Sequence, residues 1–157
     1  MGVYDIFPSL IPFDLEEKIV INDSSDPAGN EEHHGMSTAG IISAVPNNGV
    51  ATAGVGYHTR VALFDICDFD NWLQEAEIYN LKLINLSSTC SPERDEVLQF
   101  INSGGVLVLA AGSQNHAVIA NIPGVINVHR CTINSDENYR LEHWDYQFYQ
   151  GTCLCTK

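Results

Sequence analysis

Apolar and polar positions along the chain fall into short, dense apolar runs separated by polar stretches rich in turn-forming residues. Gly2 to Tyr4 reads as a short strand ending at Asp5, and Phe7 to Pro12, with two prolines, reads as loop. Lys18 to Ile21 is a β-branched run and predicts a strand. Asn22 to Asn30 is turn chemistry throughout. A helix is expected from about His34 to Val45, stopped by Pro46. Arg60 to Ile66 is a near-continuous apolar strand. Phe69 to Tyr79 has helical spacing, with Trp72, Ala76 and Tyr79 on one side. Leu81 to Leu86 predicts a strand, and Pro92 to Asn102 a helix opened by Ser91 with Pro92 at its first position. Gly105 to Ala111 predicts a strand apolar on both faces, and Val125 to Val128 another strand.

Strands apolar on both faces that alternate with helices indicate a parallel sheet covered on both sides. The expected class is α/β, three-layered, with a doubly wound, mostly parallel sheet. Ligands of such sheets sit at the carboxyl ends of the strands. After Asn134 the pattern fades, and Ser135 to Gln150 is polar and aromatic with no clear period. The expected organisation is one α/β domain over 1–134 and an irregular segment over 135–157.

Composition narrows the function classes. The chain has 157 residues, 45% hydrophobic and 17% charged, the balance of a folded globular domain. Its 20 acidic and 7 basic side chains leave a formal net charge of −13. Such a surface repels phosphate backbones and anionic lipid, so neither nucleic acid nor membrane is an expected partner. A cationic substrate, a basic partner or a bound cation suits it better. The five cysteines, Cys67, Cys90, Cys131, Cys153 and Cys155, are odd in number and irregular in spacing. That is a poor disulfide framework and suits free thiols in a reducing compartment. No signal peptide, membrane-spanning run or myristoylation motif is legible, so the expected location is cytoplasmic if the chain is complete. No Gly-rich phosphate loop follows a strand, which disfavours a nucleotide-binding domain.

The candidate chemistry lies in a series of short motifs. His34-Gly35-Met36-Ser37-Thr38-Ala39-Gly40 opens an apolar helix after an acidic loop. It is similar to the His-Gly-Thr-His-Val-Ala-Gly signature of the subtilisin-like serine peptidases, with Met36 and Ser37 in place of Thr and the second His. Val3-Tyr4-Asp5 resembles the strand end that carries that family's Asp, although Ile6 and Phe7 replace the usual Ser/Thr-Gly. Asn47-Asn48-Gly49, Ala53-Gly54-Val55 and Val61-Ala62-Leu63 resemble its Asn-rich loop, Gly-Val-Ala segment and next strand. Leu83-Ile84-Asn85-Leu86-Ser87-Ser88 is similar to the strand that lines its substrate cleft. Gly104 to Gly112 resembles the strand before its oxyanion-hole Asn. Pro123-Gly124-Val125-Ile126-Asn127-Val128 resembles the strand after it. The matches follow the family's order and cover about Val3 to Asn134.

The resemblance implies a peptidase fold incomplete at its C-terminus, with a peptide or protein as substrate. Asp5 would orient the imidazole and His34 would be the general base. Ser113 stands where the family has its oxyanion Asn, with Asn115 beyond, and Ser87 and Ser88 would line the cleft. The nucleophile's Gly-Thr-Ser-Met-Ala context is replaced by Gly151-Thr152-Cys153-Leu154-Cys155, so Cys153 is the candidate nucleophile. Asp14 and Asn48 match positions that hold a structural calcium ion in the family, and no other cofactor is required. Two functions follow: a serine-type endopeptidase domain, weakly active or inactive in this form, or a pseudoenzyme that keeps the fold to bind a peptide or protein.

Overall fold

The computed structural model describes residues 1–8, 11–23, 34–50, 52–87, 90–110, 119–129, 131–133, 139–141 and 152–153. The chain divides into two compact units, Met1–Asn85 and Leu86–Lys157. No helix among the described residues is long and apolar enough to cross a membrane.

In the first unit the elements are β1 (Gly2–Asp5), α1 (Phe13–Glu16), β2 (Ile19–Asp23), α2 (His34–Ser43), β3 (Val61–Asp65), a 3-10 segment (Ile66–Asn71), α3 (Trp72–Ile78) and β4 (Leu83–Leu86), whose last residue falls in the second unit. The strand order is β2-β3-β1-β4. β1 and β2 both run parallel to β3, with Asp5 opposite Asp65 in register. Because side chains alternate across a strand, β1 sends Val3 and Asp5 to one face and Tyr4 to the other. Val3 joins Phe7, Leu15, Met36, Ala39, Val61 and Leu63 in one core, so this is the face that α2 covers. Tyr4 stacks on Phe64 at 4.8 Å and bonds to α3, so α3 covers the opposite face. β3 is buried along its whole length, as its unbroken apolar run requires.

The start of the third helix departs from the sequence pattern. Phe69 to Asn71 belong to the 3-10 turn, and the α-helix begins only at Trp72. It ends in a Schellman arrangement: Asn80 takes a left-handed conformation (φ 50°), and the Leu81 and Asn80 amides donate to the Ala76 and Glu77 carbonyls. Helix α1 lies just past the two prolines, in a stretch too short for periodicity to register.

The second unit holds α4 (Arg94–Asn102), β5 (Val106–Ala110), β6 (Val125–His129), β7 (Cys131–Ile133), β8 (Tyr139–Leu141) and β9 (Thr152–Cys153). β5, β6 and β9 are parallel neighbours, while β7 and β8 form an antiparallel pair. Helix α4 starts later than Ser91-Pro92 suggests. Glu93 is still extended (ψ 140°), and its carbonyl accepts the first helical bond from the Val97 amide. Asp95 and Glu96 then occupy the first turn, where the helix dipole favours carboxylates. Gly104 closes the helix at φ 87°. In β5, Leu107 and Leu109 are fully buried, but Val106 and Val108 on the other face are only half-buried. The expectation of burial on both faces therefore fails for the second face, which is covered only in part. The segment 135–157, expected to be irregular, contributes the two short strands β8 and β9.

Candidate functional site

The site is built at the carboxyl end of β1. The alternation that buries Val3 against α2 also aims Asp5 at the start of that helix, whose first residue is His34. Asp5 is 3% exposed, and its Oδ1 and Oδ2 lie 2.8 and 2.9 Å from His34 Nδ1. A carboxylate only accepts, so Nδ1 carries the proton and donates it, leaving the lone pair of the neutral ring on Nε2. The His34 side chain is 61% exposed, so one edge of the imidazole is anchored and the other faces solvent. The Ile6 amide also donates to Asp5 Oδ1 at 2.8 Å. The buried carboxylate is thus satisfied by backbone and ring together.

The backbone approaches closely here. The Gly35 amide donates to the Ile6 carbonyl at 3.1 Å, which ties the first turn of α2 to the end of β1. A Cβ on Gly35 would sit 2.7 Å from the Ile6 oxygen and 2.6 Å from the Phe7 ring. This explains the glycine after the histidine: any side chain there would push His34 away from Asp5.

The far end of α2 is closed by the segment 54–56. The Gly54, Val55 and Gly56 amides donate to the carbonyls of Ala44, Ile41 and Ile42 at 2.8–3.0 Å. These carbonyls have no acceptor role inside the helix, so the segment satisfies them and fixes the helix that carries His34.

Two features of this region escaped the sequence reading. Asp65, in register beside Asp5, is also 3% exposed. Its signal was present: an acid ending an apolar run, as in Val3-Tyr4-Asp5. The second is Tyr4, whose hydroxyl donates to Glu75 Oε2 at 2.7 Å and lies 3.3 Å from the Trp72 carbonyl oxygen. Burial, and then the Glu75 carboxylate, holds its pKa above the ordinary phenol value, so it remains a donor. No local pattern links residues seventy positions apart.

The other expected site residues are placed as follows. Asn48 Nδ2 donates to Asp14 Oδ1 at 2.6 Å, and Asn48 Oδ1 accepts from the Val50 amide at 3.0 Å. Ser87 is half-buried just past β4. Ser88, Ser113 and Asn115 lie outside the described residues. Cys153 lies on β9, in register with His129, and its side chain is outside those described. Cys90 is half-buried and forms no disulfide. No group of three or more His, Cys, Asp or Glu able to hold a metal occurs among the described residues.

No family model matches the chain. A 48-residue stretch, 31% of the chain, is 40% identical to "Subtilisin-like protease 1" of Plasmodium vivax and spans 8% of that protein. The structure of MycP1 with its N-terminal propeptide removed superposes with a TM-score of 0.50 at 15% identity, over 82% of this chain and 56% of that one. The fold is therefore α/β with parallel strands, of the subtilisin-like kind, and this chain spans only part of either relative.

Proposed function

We propose that this chain carries the Asp–His half of a subtilisin-like peptidase site and, by itself, hydrolyses peptide bonds weakly or not at all. The observation that supports this is the Asp5–His34 contact at 2.8 Å, with Nδ1 anchored and Nε2 open. In that arrangement Asp5 fixes the tautomer and stabilises the imidazolium, while Nε2 is free to take a proton from a nucleophile. What the sequence lacks is a serine in a Gly-Thr-Ser context. Cys153 is the substitute, and a thiol beside a histidine is chemically competent. Ser113 in place of an amide donor weakens the oxyanion side, a change that costs roughly 100- to 1000-fold in rate. Misplacing the nucleophile by about 1 Å costs roughly 100-fold more.

Purified chain given casein or a labelled peptide is expected to show no turnover above buffer, and His34→Ala is expected to change nothing. Robust turnover that disappears in His34→Ala would sink this reading. If it also disappears in Cys153→Ala, the thiol is the nucleophile. The second reading, a pseudoenzyme that binds a peptide or protein, draws on the same substitutions at the oxyanion and nucleophile positions.

A structural calcium ion at Asp14 and Asn48 fits the present arrangement poorly. Ca²⁺ takes oxygen ligands, yet Asn48 turns its amide nitrogen to Asp14 and its oxygen to the Val50 amide. Binding an ion there requires the amide to turn and Val50 to lose its acceptor. The expected outcome is the same melting temperature in calcium and in chelator. A calcium-dependent rise that vanishes in Asp14→Asn restores the ion.

A further inference from the structure

We propose that Asn48 is a site of spontaneous deamidation, and that the modification opens the clasp between the 46–50 loop and helix α1. Asn48-Gly49 is the one Asn-Gly pair among the chain's 157 residues, and no Asp-Gly occurs. The reaction needs the nitrogen of the following residue to attack the side-chain carbonyl carbon, and glycine offers the least hindrance. Four observations put this pair in a reactive setting. Both residues are exposed. Gly49 is in the left-handed region at φ 75°, and a Cβ built there meets nothing within 4 Å. Among the described residues, the Gly49 amide has no hydrogen-bond partner. Finally, Asn48 Oδ1 accepts from the Val50 amide at 3.0 Å, two residues on. That bond curls the side chain back over the Asn48–Gly49 peptide, bringing Cγ toward the Gly49 nitrogen. It also polarises the carbonyl under attack.

In the step itself, a bond forms between the Gly49 nitrogen and Asn48 Cγ. The Cγ–Nδ2 bond breaks, the Gly49 proton passes to Nδ2, and ammonia leaves. Water then opens the cyclic imide at either carbonyl, giving aspartate or isoaspartate. One water is consumed, one ammonia is released, and no oxidant is involved.

The consequence lies across the clasp. Asn48 Nδ2 is the donor that Asp14 Oδ1 accepts at 2.6 Å, and Asp14 is only 7% exposed. Deamidation replaces that donor with a second carboxylate, turning an attraction into like-charge repulsion at a buried acid. The Val45 amide, bonded to the Asp14 carbonyl at 2.9 Å, carries the disturbance to the end of α2.

The test is incubation of the purified full chain in neutral buffer at physiological temperature, followed by peptide mass mapping. The peptide containing residues 47–50 is expected to gain about 1 Da, as mixed aspartate and isoaspartate products, and Asn48→Gln to abolish the gain. Asn48→Asp, made directly, is expected to melt several degrees below the parent. No gain in the folded chain, while a free peptide of the same sequence deamidates, would mean that the two side-chain bonds protect the amide and the proposal is wrong. A gain mapping to Asn47 overturns it equally. Unchanged melting of Asn48→Asp overturns the opening of the clasp.

Discussion

Trp72→Ala is expected to destabilise the first unit by about 3–5 kcal/mol, the range for removing a large buried aromatic. Trp72 is 1% exposed at the first turn of α3, on the sheet face opposite His34. Its carbonyl lies beside the Tyr4 hydroxyl, and Tyr4 immediately precedes Asp5. A cavity there therefore loosens the strand that positions the carboxylate, from behind. A loss of this size corresponds to a fall in melting temperature of roughly 6–20 °C for a chain of this length. Trp72→Phe keeps most of the buried volume and is expected to lose much less. Thermal unfolding followed by circular dichroism measures both, and a fall of only a degree or two for the alanine variant would show that Trp72 does not anchor this face.

Two glycine-to-alanine changes on the two sides of one helix should have opposite signs. At Gly54 the new methyl would lie 2.5 Å from the backbone nitrogens of Ser43 and Ala44 and 2.6 Å from Ser43 Cα. Backbone cannot swing aside as a side chain can. The segment must retreat, and its bonds to the Ile41, Ile42 and Ala44 carbonyls weaken with it. Overpacking of this kind, with hydrogen bonds lost, costs about 3 kcal/mol. At Gly40, inside α2, a Cβ meets nothing within 4 Å. Alanine there restricts the unfolded chain and favours the helix, a gain of about 0.5–1 kcal/mol. Denaturant midpoints of the two variants check the pair. Similar shifts for both would refute the close docking of 54–56 on the helix end.

The α/β class was readable because Arg60 to Ile66 and Gly105 to Ala111 are unbroken apolar runs, and such runs suit sheets sandwiched between helices. Asp5 and His34 were readable from the residues around them, and alternation along β1 explains why they meet. What stayed hidden depends on contacts distant in sequence. Nothing local marks the Tyr4–Glu75 bond, the pairing of Asp5 with Asp65, or the docking of 54–56 on α2. Element ends were misread where backbone bonding decides them, as at Glu93, where the helix waits for the first closing bond. The half-buried face of β5 shows the limit of the rule itself: apolar side chains permit double burial, but only a covering layer produces it.

The strand order β2-β3-β1-β4 has a consequence for how the chain is made. β1 is synthesised before β3, and its register partners there lie about sixty residues downstream, Gly2 beside Ala62. At ribosomal speeds that delay is roughly 3–12 s. During that interval Val3 and Tyr4, both fully buried at the end, have no sheet to join. Nascent β1 is thus an apolar strand with an unpaired edge, the kind of segment that seeks another chain's edge when its own is not yet available. Pairing over such a span also closes a long loop before any reward arrives, which slows refolding. Dilution from denaturant should therefore give a yield that falls as protein concentration rises, because association between waiting first strands competes with the arrival of the third.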